Sequence, residues 1–195
     1  MANEVSKIFN MIDNYIYLYH VDQFIVIPSF PDSLQDRISV SFNKATPMSR
    51  SAPIYSYSDS GPRSIQIQLD LHRDMMAQIN WGVSNATVAL GDDYVDTLIK
   101  HIQAAALPAY NASQKIVDPP MVAVRFGNDV FIKGVVVDGV SVTYALPIIA
   151  GNKYAHVSVS FTVEEVDPYD AKTVMSAGSF RGLDTTLERN AWKVE

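Results

Sequence analysis

Four histidines, His20, His72, His101 and His156, are the side chains whose ordinary titration lies nearest neutrality, and with the carboxylates they are the first candidates for acid–base or metal chemistry. They stand far apart, and none has the spacing of an HExxH site, so no zinc centre is expected. His72 follows Asp70 by two residues, the arrangement of a base oriented by a carboxylate. In a strand, positions i and i+2 share a face, so a solvated ion pair is the plainer expectation. Glu164, Glu165, Asp167 and Asp170 form a small acidic cluster that could hold calcium, yet it lacks the spacing and glycine of an EF-hand loop, and a solvated strand end is expected instead. Serines are abundant, but there is no GxSxG elbow, Walker loop or GxGxxG turn. With no cysteine in the chain, disulfides, thiolate metal sites and cysteine nucleophiles are excluded. The chain is therefore expected to be no enzyme, and to have no cofactor and no metal.

What remains is architecture. At 195 residues and 48% hydrophobic content, the chain suits one domain with appendages and can bury a core without staples. The net charge of −6, with 15 scattered Lys and Arg residues, argues against a nucleic-acid groove. No segment reads as a signal peptide or a membrane span. The chain is expected in the cytoplasm or in something assembled there.

The strongest local signal is Ser64 to Leu71, where Ile65, Ile67, Leu69 and Leu71 alternate with polar residues and must share one face of a strand. Upstream, Val5, Ile8, Phe9, Ile12, Tyr15, Ile16 and Tyr19 recur at spacings of three and four, which predicts an amphipathic helix over 4–19. That helix either packs on its own chain or docks as an arm on a neighbour. Phe24 to Ile27 reads as a short strand ended by Pro28, and Arg37 to Phe42 as an alternating strand. Residues 43–63 are rich in Pro, Ser and Gly and read as a long loop. Ile54, Tyr55 and Tyr57 within it could pair as an extended arm before a turn at Asp59 to Pro62. Arg73 to Ile79 allows a helical turn or two, and Asp92 or Asp93 caps a clear helix over 93–106 before Pro108 stops it.

After Asp118-Pro119-Pro120, strands are expected at 121–126, 130–137, 140–146 and 154–166. Asp138-Gly139 reads as a two-residue hairpin turn, and Gly151-Asn152 marks another. The fold class is mainly β (α+β): an antiparallel β-barrel or sandwich with one packed helix, an N-terminal helix and an extended C-terminal tail. Its organisation is a helical arm over 1–22, a barrel domain over 23–167 and a tail over 168–195. The tail carries Val174, Met175, Phe180, Leu183, Leu187 and Trp192, too apolar to stand free, and packs either on its own domain or on a neighbour.

The segment Pro28 to Leu71, with its Arg50-Ser51-Ala52-Pro53-Ile54-Tyr55-Ser56-Tyr57 core and Gly61-Pro62-Arg63 before the strand, resembles the N-terminal domain of LysM-type baseplate adaptor proteins. These belong to contractile phage tails and related injection systems. The likeness continues through Pro119-Pro120, Val122 to Gly127, Val130 to Val137 and the pair Val140 to Leu146 with Tyr154 to Val166, covering roughly 28–166. It implies a tail-tube-like barrel, forming a homohexameric ring that joins the central hub and spike to the tail tube and initiates tube assembly.

Implied partners are further copies of the chain, the hub or spike protein, and the tail tube or a second tube-initiator protein. A baseplate wedge or the sheath initiator is a further one. Neither specific nucleic-acid binding nor membrane insertion is implied. The implied location is the virion tail baseplate, assembled in the host bacterial cytoplasm. Two features depart from the family: no LysM-like domain follows residue 166, and helix 4–19 lies outside the likeness, where it could substitute as a docking arm. Candidate partner contacts are Arg50, Ile54, Tyr55, Tyr57, Arg63, Ile148, Ile149, Phe180, Leu183 and Trp192. Of these, Ile148 and Ile149 stand in a hairpin tip, Pro147 to Lys153, where polar residues are expected. The alternative reading is a soluble β-barrel that holds a small molecule.

Overall fold

The computed structural model describes residues 14–27, 30–76, 91–111, 116–127, 129–167 and 170–176. Its frame is a seven-stranded antiparallel sheet in the order β2-β1-β7-β8-β9-β4-β3, where β1 is Asn14–Leu18, β2 Gln23–Val26, β3 Ser33–Ala45 and β4 Ile54–His72. β7 is Met121–Phe126, β8 Val130–Ile149 and β9 Lys153–Glu165. The mainly antiparallel β class expected from the sequence is present, as a large open sheet.

The alternating segment of β4 behaves as its pattern requires. Ile65, Ile67, Leu69 and Leu71 stand opposite Val163, Phe161, Val159 and Val157 of β9, and all eight are buried. Fully burying each such side chain contributes about 1.5–3 kcal/mol. The core closes under helix α2 (Tyr94–Ala104), whose Val95, Leu98, Ile99 and Ile102 form one buried stripe against this face. Asp93 caps α2: its Oδ1 accepts the Asp96 N–H at 2.8 Å. Tyr94 ties the helix to β2 by donating its hydroxyl to the Val26 carbonyl at 2.6 Å, and burial pushes the Tyr94 phenol pKa upward.

Four expectations are corrected. Residues 14–18 are a strand, not the end of a helix. Asn14, Tyr15, Ile16 and Leu18 are buried between β2 and β7, so an apolar run with spacings of three and four is satisfied here by burial on both faces. Residues 4–13 lie outside the described residues.

The stretch 43–63 is mostly strand: β3 runs to Ala45, β4 starts at Ile54, and only 46–53 connect them. Asp59 to Pro62 is no turn, because its backbone stays in the ladder through two register shifts, between Ile38 and Val40 and between Ser41 and Phe42.

Asp138-Gly139 is a bulge inside the single strand β8, not a hairpin turn. Both residues take positive φ, +59° and +77°, while pairing with β9 resumes from Val137↔Thr162 to Val140↔Phe161. Finally, Ile148 and Ile149 belong to β8, opposite Tyr154 and Lys153, so the turn is confined to 150–152.

Two short helices, α1 (Arg73–Met76) and α3 (Ala171–Ser176), complete the described elements with a ribbon the sequence did not announce. In it, β5 (Ala109–Asn111) pairs with β6 (Ile116–Asp118). No helix among the described residues is long and apolar enough to cross a membrane.

Candidate interaction surface

The stagger of the sheet creates two projections. β9 accompanies β4 only from Ser64 to His72, whereas β3 accompanies β4 from Ile54 to Gln68. Residues 38–45 and 54–63 therefore leave the sheet as a two-stranded arm. At about 3.3 Å per residue, its eight or so residue pairs reach roughly 25 Å. At the other end of the strands, β8 beyond Val135 pairs with β9 alone, and the tip of the β8–β9 hairpin, from Leu146 to Ala155, passes the end of β4 in the opposite direction.

The arm is amphipathic, and its apolar face continues the face that forms the core. Leu34 pairs with Ile67 and packs on the core; Asp36, Ile38, Val40 and Phe42 follow it at intervals of two. Phe42 stands opposite Tyr57, their rings 5.7 Å apart and edge to face, and Tyr55 lies two residues from Tyr57 on the same side. Beyond the body no helix among the described residues covers this face, and Phe42, Tyr55 and Tyr57 are 54, 60 and 59% exposed. With Ile38 and Val40, both about half exposed, these side chains line one exposed apolar face of the arm. The opposite side of the arm carries Ser41, Asn43 and Ser56.

Arg63 fixes the arm at its base. Its Nε donates to both Asp36 carboxylate oxygens at 3.0 Å, Nη2 to Asp36 Oδ2 at 2.7 Å and Nη1 to the Phe131 carbonyl at 3.1 Å. Glu165 Oε2 lies 3.9 Å from Nη1. This guanidinium binds β3, β8 and β9 together while staying buried. Arg63 is therefore occupied within its own chain, whereas the sequence had suggested it for partner contact.

A second ionic cluster braces the opposite projection. Arg73, buried beside β4, donates Nε to the Tyr154 carbonyl at 2.8 Å and Nη2 to Asp96 at 2.7 Å, and it pairs with Asp93. Lys153 reaches Asp96 at 2.6 Å and the Gly91 carbonyl at 3.1 Å. Burial raises the Asp96 pKa, but the hydrogen bonds from Arg73 and Lys153 outweigh it and hold the carboxyl at about 2. The hydrogen bond to Asp96 in turn raises the Lys153 pKa. Above this brace Tyr144, Leu146 and Ile148 remain about half exposed or more.

Of the sequence candidates, Ile54, Tyr55 and Tyr57 come together on the arm and Arg50 sits in its turn, exposed. Ile148 and Ile149 lie at the other end of the sheet, away from the arm. Phe180, Leu183 and Trp192 lie outside the described residues. Sequence reasoning missed Ile38, Val40 and Phe42. Their alternation was plain, but exposure depends on which strand lies beside them.

The face of the sheet opposite α2 is a carpet of hydroxyls and amides: Gln66 and Gln68 on β4, Ser158, Ser160 and Thr162 on β9, Ser141 and Thr143 on β8. It holds shallow cavities of about 140 and 250 Å³, the larger lined by Gln35, Arg37, Gln66, Asp138 and Glu164 among others. Both fall below the ~300–1,000 Å³ usual for small-molecule sites. Asp70 accepts a hydrogen bond from Ser158 Oγ, its cross-strand neighbour, in place of the expected pairing with His72. Directly opposite residues are nearer than i and i+2 along one strand. Among the described residues no three His, Asp or Glu side chains converge as metal ligands. No protein-family model and no curated protein matches the chain.

Proposed function

We propose that this chain is a structural subunit of a contractile phage tail baseplate, assembling with copies of itself into a ring that joins the central hub and spike to the tail tube and starts tube assembly. The observation that carries the reading is the β3–β4 arm. It presents a continuous apolar face outside the body of the sheet, and a partner surface is the ordinary reason for such a face.

The arm and the β8–β9 hairpin project from opposite ends of one sheet, which suits a head-to-tail contact between copies, the kind that closes into rings. The stagger also leaves long unpaired strand edges, along 54–63 of β4 and 136–149 of β8 among the described residues, where a neighbour's strand would extend the sheet. A curved, tube-like closure of the sheet in the assembled ring belongs to the same proposal. The sequence resemblance supplies the particle; the arm supplies the means of assembly.

The test is the copy number of this chain in purified tail particles, by quantitative peptide mass spectrometry against the hub and tube proteins. One ring's worth per tail is expected. Absence from particles would overturn the reading, and a far larger number would make the chain a tube protein in its own right.

A further inference from the structure

We propose that His72 and His156 form a two-imidazole site for a divalent cation of the zinc, nickel and copper class, on the polar face of the sheet. The inference does not rest on the assembly reading, because both ligands belong to one chain.

The two residues are direct cross-strand partners on β4 and β9, with ring centres 4.3 Å apart and planes at 88°. Two imidazoles that share one ion about 2.0–2.1 Å from each nitrogen hold their ring centres roughly 4.5–5 Å apart. The observed centres are closer than that and the rings meet edge to face, so the chelate forms when one imidazole turns about its side-chain bonds until both rings present a nitrogen to the ion.

His72 Nδ1 is buried and has no hydrogen-bond partner, an uncommon state for a buried nitrogen. Rotating that ring onto a shared ion breaks no hydrogen bond at this atom. His20 Nδ1 is also buried without a partner, but its Nε2 is held by the Ala104 carbonyl at 3.2 Å, and His101 Nδ1 is held by the Thr97 carbonyl at 2.6 Å.

The surroundings admit a cation. On the β8 side Ala145 stands opposite His156, and its methyl group leaves the imidazole open, while Thr143 one row away is uncharged. Asp70, two residues before His72 on the same face, supplies negative charge one row away and is held by Ser158 Oγ. Arg73, the nearest cation in sequence, is directed to Asp93 and Asp96.

Imidazole suits zinc, copper and nickel over calcium or magnesium. Two protein ligands leave the remaining positions to water, so the ion exchanges freely and is no structural centre. Binding uses the neutral form of both imidazoles, which supply their ring nitrogens as donors.

The test is calorimetric titration of the full chain, stripped with chelator, with zinc chloride at pH 7.5, alongside nitrogen NMR of the imidazoles. We expect saturable binding of one ion per chain with shifts at both rings. His156→Ala or His72→Gln should lower affinity by at least about tenfold, the scale on which loss of a metal-shell group registers. His20→Ala and His101→Ala should leave the affinity unchanged. Melting curves without zinc establish that each variant folds. The proposal is overturned if the wild-type chain binds no zinc saturably, or if His156→Ala and His72→Gln bind it as the wild type does.

Discussion

Arg63 and Asp36 meet across the base of the projecting arm in a forked pair, with Nε and Nη2 of the guanidinium both on the carboxylate at 2.7–3.0 Å. Arg63 is buried and Asp36 is not, so the pair sits where the sheet stops being covered and the arm begins. An arm that reaches some 25 Å from the body holds its apolar face in place only if its base is stiff. The fork, with the Phe131 carbonyl behind it, joins β3, β4 and β8 at that point.

Removing Asp36 takes the forked carboxylate from a buried guanidinium that keeps the Phe131 carbonyl and has Glu165 at a longer distance. Asp36→Ala should therefore cost about 1–3 kcal/mol of stability, moderated by the solvent access of the carboxylate. The double variant Asp36→Leu/Arg63→Leu removes both charges together and should cost less than the sum of the single changes. Urea denaturation of the four proteins closes the cycle. Strict additivity would mean that the fork contributes no coupling.

At Gly134 the backbone of β8 runs tight against that of β9. A Cβ added there would stand 1.8 Å from the Glu164 carbonyl oxygen, a backbone atom fixed by the ladder on both sides. Gly134→Ala should force the strands apart beside Glu165 and Arg63 and destabilise the chain by about 3 kcal/mol or more. A melting temperature within a degree or two of wild type would show that the ladder can shift there at little cost.

Legibility followed the range of the interaction. The alternating face of β4 and the capped stripe of α2 are local periodicities, and they were read with nearly their true limits. Tyr15 and Ile16 misled because their spacing fits a helix as well as a strand buried on both faces, and only pairing with β2 and β7 decides between them. Asp138-Gly139 has the composition of a hairpin turn and the backbone of one, but Thr162 and Phe161 of β9 continue alongside, so it becomes a bulge. The arm was half legible: Tyr55 and Tyr57 stood out, while Ile38, Val40 and Phe42 were indistinguishable from core. What separates Phe42 from Leu34 is that β9 ends between them, a fact of long-range register that no local pattern carries.

The arm's apolar face gives the assembly proposal a residue-level consequence. Phe42→Ser/Tyr57→Ser removes the exposed aromatic pair, whose loss should cost the folded chain no more than about 1 kcal/mol. Assembly should nonetheless be lost, so that sedimentation finds only monomer under conditions where the wild-type chain associates. Changing Ser41 and Asn43 to Ala on the arm's other side should leave association intact. If the aromatic variant assembles like the wild type, the arm does not carry the contact.

Asp96 makes the brace under the β8–β9 hairpin sensitive to acid. Its folded pKa of about 2 lies below its ordinary 3.8, because Arg73 and Lys153 favour the ionised form more strongly than burial disfavours it. For a depressed carboxyl the contribution is fully present above the unfolded value and is lost as pH falls through the folded one. Stability should thus decline between about pH 4 and pH 2 by an amount of order 1 kcal/mol from this residue, reduced by partial solvation. Asp96→Asn should be less stable at pH 7, since it leaves the buried Arg73 with one carboxylate fewer. Its stability should also vary less than that of the wild type between pH 4 and pH 2. Equilibrium unfolding at half-unit pH steps measures both, and parallel curves for the two proteins would show that Asp96 is not the group responsible.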